Sequence, residues 1–95
     1  MNYNKVEIFN ILKEILKVQF SDIKVLKKSN FKIDFQADEL DMVEIVMEIE
    51  DEFDLSINDK KADKWKTVEN ILTYLYKELD IKEPINSRFE ILDIR

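Results

Sequence analysis

With 95 residues, 45% of them apolar and 38% charged, the chain has the size and composition of one small globular domain, and neither two domains nor a disordered segment. It has no cysteine and no histidine, which excludes disulfides, a thiol nucleophile, the commonest general base and the commonest metal ligand. The net charge of −6 is polarised: residues 1–30 hold six lysines and three acids, residues 31–60 two lysines and eleven acids, and residues 61–95 seven of each sign.

From the N-terminus, Asn4 and Glu7 have the spacing of an N-cap with its capping-box partner. Val6, Phe9, Leu12, Leu16 and Phe20 then recur at helical spacing, with Ile8, Ile11 and Ile15 broadening the stripe, so a first helix runs to about Phe20. Residues 21–37 lack sustained periodicity and read as a long loop tethered by Val25, Leu26, Phe31 and Phe35, of a length that is often functional. Asp38 caps a second helix ending at Phe53, a short third helix falls within residues 59–64, and Thr67 caps a fourth. Val68, Ile71, Leu72, Leu75 and Leu79 form the inner face of that fourth helix, and Pro84 closes the helical region. The expected organisation is an all-α bundle over residues 1–83, with three longer helices and one short one, followed by an extension over residues 84–95. Glycine is absent, so turns needing positive φ fall to Asn or Asp, with Asn30, Asp54 and Asn58 as candidates.

The second helix carries two apolar groups when residues are rotated about 100° each. Met42, Ile45, Val46, Ile49 and Phe53 share one side, and Leu40, Val43 and Met47 the opposite side. Glu44 and Asp51 edge the second stripe, with Asp41, Glu48 and Glu52 further round. One apolar face suffices for the core of a small bundle. The second stripe is therefore a candidate docking surface for a basic-rimmed partner groove, formed by Asp38, Leu40, Asp41, Val43, Glu44, Met47, Glu48 and Asp51. The blander alternative is that the long loop or the extension folds over Leu40, Val43 and Met47.

Residues 37–53 read Ala37-Asp38-Glu39-Leu40-Asp41, then Val43-Glu44, Val46-Met47, Glu50 and Glu52-Phe53. This run resembles the acyl carrier protein family, whose signature is a D-S-L tripeptide opening an acidic second helix. Ser29-Asn30-Phe31 is similar to the family's S-x-F step, and Ile57, Asp59, Ala62, Lys64 and Thr67-Val68 match its third and fourth helices. The resemblance spans roughly residues 5–79 and implies an acyl-carrier-like four-helix bundle. Trp65 before Lys66-Thr67 is similar to D-alanyl carrier proteins. In the family the serine of D-S-L bears 4′-phosphopantetheine, whose thiol carries acyl groups; the matching position here is Glu39. A carboxylate forms no serine phosphodiester, so the resemblance implies no cofactor on the chain as written, and phosphopantetheine only with a serine at position 39. Glu39 has three readings: an acid that favours the helix dipole by roughly 0.3–1 kcal/mol, a mimic of the phosphodiester charge, or an engineered block to modification, ranked below natural divergence.

Two functions follow. The first is a non-enzymatic module that docks through its acidic helix on a basic surface, such as that of an acyl-transfer or synthase enzyme. The second is a genuine acyl or D-alanyl carrier of fatty-acid, polyketide or cell-wall metabolism whose serine was replaced. Nucleic acid and anionic lipid are disfavoured partners for the acidic middle. No apolar run reaches membrane-spanning length and no signal peptide opens the chain, so a cytoplasmic location is expected, with an organelle as the alternative. A monomer is favoured over a dimer. Residues 54–63 are acidic but lack the spacing and glycine of a calcium loop, so no metal site is expected. Trp65, Tyr74 and Tyr76 read as packing residues. In the extension, Phe89, Ile91, Leu92 and Ile94 are too apolar for a solvated tail and are expected to pack on the bundle or on a partner.

Overall fold

The computed structural model describes residues 3–21 and 23–81. Five helices follow one another: α1 (Lys5–Phe20), α2 (Phe31–Asp34), α3 (Glu39–Phe53), α4 (Asp59–Ala62) and α5 (Val68–Glu78). Among the described residues the only β-pairing is one isolated bridge, Asn30 with Thr67. The fold is the expected all-α, acyl-carrier-like bundle, with one additional helical turn, α2, inside the expected loop.

Each long helix begins at a capping box that gives partners to its orphan amides. The Asn4 side chain accepts from the Glu7 N–H at 2.8 Å, and the Glu7 carboxylate accepts from the Asn4 N–H at 2.9 Å. Thr67 and Asn70 do the same for α5, where the Val68 and Glu69 amides also donate to the carbonyls of Ser29 and Lys27. The segment before α2 is thereby bonded along the start of α5, and the Phe31 N–H donates to the Lys66 carbonyl at 3.0 Å. This ladder fixes the approach of the chain to α3.

α1 packs against both α3 and α5. Its inner face is Ile8, Leu12 and Leu16, which meet Ile45, Ile49 and Phe53 from α3 and Val68, Ile71, Leu72 and Leu75 from α5 in one buried cluster. Phe31 from α2 and Val25, Ile57 and Trp65 from the connections close it. Trp65 packs edge-on against Tyr74 at 5.3 Å, and Tyr76 lies beneath the Lys5 ammonium, so these aromatics serve packing as expected.

Several expectations are corrected. Val6 and Leu26 lie on the surface, not in the core. Val6 lies on the side of α1 roughly opposite Ile8, Leu12 and Leu16, and Leu26 opens the exposed stretch 26–28 before Ser29. Leu79 holds its expected place, half-buried against the core as the C-cap of α5. Of the three residues expected at positive φ, only Asp54 is there, at φ 55° as the left-handed cap of α3. Asn30 and Asn58 instead have extended φ/ψ and cap α2 and α4. The other positive-φ positions are Ser21, Gln36 and Asp80. The expected packing of residues 84–95 lies outside the described residues.

Candidate functional site

α3 is built to hold charge at its head. The Asp38 carboxylate accepts from the Asp41 N–H at 2.8 Å, and the Asp41 carboxylate accepts from the Asp38 N–H at 3.0 Å. A second partner comes from α1: the Gln19 side-chain amide donates to Asp41 at 2.9 Å and to Glu44 at 2.7 Å. The Asp38 amide, then the Gln19 amide, hold the Asp41 carboxyl below its ordinary range. Gln19 thus anchors two of the expected docking acids to α1, and the sequence carries no sign of this link.

The helix turns its two apolar groups in opposite directions. Ile45, Ile49 and Phe53 are buried and Met42 and Val46 half-buried against the bundle. Leu40, Val43 and Met47 are 64%, 50% and 58% exposed. Among the described residues the long loop does not fold over them. Asp38, Glu39, Glu44, Glu48 and Asp51 are exposed as well, and Asp41 is half-buried. The eight expected docking residues therefore share one helix, with three apolar side chains open to solvent among acids.

Two grooves flank Glu39, which occupies the first helical position of α3. One, of about 400 Å³, runs between the α2 turn, Trp65–Lys66 and the head of α3, with Lys32 and Lys66 on its walls. The other, of about 500 Å³, lies between α3 and α4. Met42, Val43, Val46, Met47 and Ala62 line it beside Glu39, Glu50, Asp59 and Asp63. The α4 acids were not among the expected docking residues, although Asp59 in a first helical turn was visible in the sequence. Glu50 has a structural duty: its carboxylate accepts from the Ile57 N–H at 2.8 Å across the turn after α3.

No hydroxyl lies in residues 36–41. Elsewhere, the buried Ser29 hydroxyl accepts from the Leu26 N–H, and the Thr67 hydroxyl caps α5. No group of three or more acidic, histidine or cysteine side chains among the described residues could hold a metal ion. None of the described helices is long and apolar enough to cross a membrane.

Residues 6–75 match the phosphopantetheine attachment site family. Among curated relatives, the acyl carrier protein of Buchnera aphidicola is 39% identical over 75 residues, covering 79% of this chain and 92% of the relative. That of Trieres chinensis is 42% identical over 71 residues, covering 75% and 86%. That of Bdellovibrio bacteriovorus is 49% identical over 55 residues, covering 58% and 70%. A helical bundle with an acidic capped helix at its face, matched along three quarters of its length, places the chain in the acyl carrier protein family.

Proposed function

We propose that the chain is an acyl-carrier-type docking module that engages a basic partner surface through α3 and bears no phosphopantetheine-linked acyl group. Members of its family are carriers, not enzymes. The observation that carries the docking reading is the exposure of Leu40, Val43 and Met47 beside Glu44, Glu48 and Asp51. An apolar stripe rimmed by one sign of charge suits a groove of opposite rim, and each exposed charge pair adds at most about 1 kcal/mol. Such docking is weak and falls with salt.

The family's prosthetic group does not fit the head of α3. Its phosphodiester needs a hydroxyl oxygen, and the residues there are Gln36, Ala37, Asp38, Glu39, Leu40 and Asp41. The Glu39 carboxylate, at the attachment position itself, also repels a further anion. In the docking role, Glu39 supplies negative charge where the family has a phosphodiester. We propose a cytoplasmic monomer, bound transiently to an acyl-transfer or synthase enzyme.

A second reading, a genuine carrier whose serine was replaced, is favoured by the name shared by the relatives. Intact mass after incubation with coenzyme A and a phosphopantetheinyl transferase separates the two. We expect no gain for this chain, and a gain of one prosthetic group would overturn the non-carrying reading; a gain after Glu39→Ser would assign the loss to that position. Docking is tested with acyl-transfer and synthase enzymes from the same genome. Glu44→Lys with Asp51→Lys should abolish binding with helicity intact, and unchanged affinity would move the interface elsewhere.

A further inference from the structure

We propose that residues 82–95 of this chain seat in the groove between α3 and α4, over Val43 and Met47, and compete with a partner for that face. The competition rests on the docking reading above; the seating does not.

The groove has an apolar floor, including Met42, Val46 and Ala62, and an acidic rim of Glu39, Asp59 and Asp63. Fourteen residues follow Ile81, and the last eight hold Phe89, Ile91, Leu92 and Ile94 among Arg88, Glu90, Asp93 and Arg95, two charges of each sign. The match to the groove is chiefly apolar, four large side chains for an apolar floor, with Arg88 and Arg95 at the ends of the run for the acidic rim and Glu90 and Asp93 left for water.

The chain is long enough to arrive there. The Ile81 N–H donates to the Tyr76 carbonyl, and the Tyr76 ring lies 4.7 Å from the Lys5 ammonium. Near the start of α1, the Tyr3 ring packs 5.1 Å from Phe53 at the end of α3. Ile81 therefore leaves the bundle at the end where α1 begins and α3 finishes. With α1 touching both α3 and α5, the axes of α3 and α5 are at most about 16–20 Å apart. Met47 is about 9 Å along α3 from Phe53, which makes the direct path from Ile81 roughly 20 Å. An extended chain reaches about 26 Å at Phe89 and about 43 Å at Ile94. That leaves length for a route around the outside of the helices. The opposite course, along α1, meets two exposed apolar residues twelve positions apart, Val6 between Lys5 and Glu7 and Val18 between Lys17 and Gln19, and no continuous stripe.

The chain has no cysteine, so Ser87→Cys in the full-length protein gives a single attachment site for a nitroxide. The expected result is loss of amide NMR signal from Val43, Met47 and Ala62, restored when the nitroxide is reduced and absent when Phe89→Asp and Leu92→Asp are added. Broadening around Val6 and Asn10 instead, or none, overturns the proposal. So does broadening of an isotope-labelled copy by a nitroxide on a second, unlabelled copy, which would assign the segment to a dimer. With an enzyme that binds in the docking test, Phe89→Asp with Leu92→Asp should tighten binding about tenfold if the face is covered nine-tenths of the time. Unchanged affinity overturns the competition. Broadening at Val43 and Met47 with no enzyme bound by any form of the chain leaves the seating intact and sinks the docking reading alone.

Discussion

Single residues at the ends of helices set the local chemistry. Asp41 accepts from the Asp38 N–H and from Gln19, and both favour its ionised form. A carboxyl whose folded pKa is depressed stabilises the fold fully above its unfolded value of about 3.9, and that stabilisation is lost as pH falls through the lower folded value. Asp41→Asn should therefore be less stable than the native chain at about pH 7, with the difference shrinking below about pH 4. Urea unfolding at both pH values checks this; an equal difference at the two would assign the effect to hydrogen-bond geometry, not to charge. Ser21 closes α1 at φ 66° and ψ −144°, a conformation in which a side chain is costly and glycine is at home. Ser21→Gly should raise stability by about 1 kcal/mol, read as a higher urea midpoint at unchanged slope. A lower midpoint would mean that the serine has an undetected role at this turn.

At the scale of elements, α3 separates two functions on one cylinder. Ile49 is buried against α1, and Met47, two positions earlier, faces solvent. Ile49→Ala should cost about 2–5 kcal/mol through the cavity it leaves. Met47→Gln should cost no more than about 1 kcal/mol, because among the described residues Met47 is largely exposed and only its part in seating residues 82–95 is lost. Chemical denaturation of the two variants distinguishes them, and a loss for Met47→Gln as large as that for Ile49→Ala would place Met47 in the core. This split was legible in the sequence because a rotation of about 100° per residue sorts Leu40, Val43 and Met47 away from Ile45 and Ile49. The long helices were legible for a related reason: Asn4, Asp38 and Thr67 each precede a periodic apolar run. α2 was hidden because four residues are too few to display a period. Its sign was Asn30, whose side chain accepts from the Lys32 and Ile33 amides but which read equally well as a turn residue. The link from Gln19 to Asp41 and Glu44 spans 22 and 25 positions, and no local pattern connects groups so far apart in the chain.

At the scale of the whole molecule, the buried core runs from Ile8 to Leu75 and draws on α1, α3, α5 and the segments between them. Every long helix has its cap, and α1 joins α3 and α5 into one cluster. Cooperative folding requires that these contacts form together, and each is made between described residues, up to Ile81. A chain ending after Lys82 should therefore keep a single unfolding transition and the native emission of its one tryptophan, Trp65, which is buried against Tyr74. Seating of residues 82–95 on Val43 and Met47 would add burial at the rim of an already complete core, so its removal should lower the melting temperature by a few degrees without broadening the transition. Calorimetry and fluorescence on the shortened chain decide the point. Loss of the cooperative transition would show that the domain does not end near residue 83, and that the last residues of the chain belong to the bundle itself.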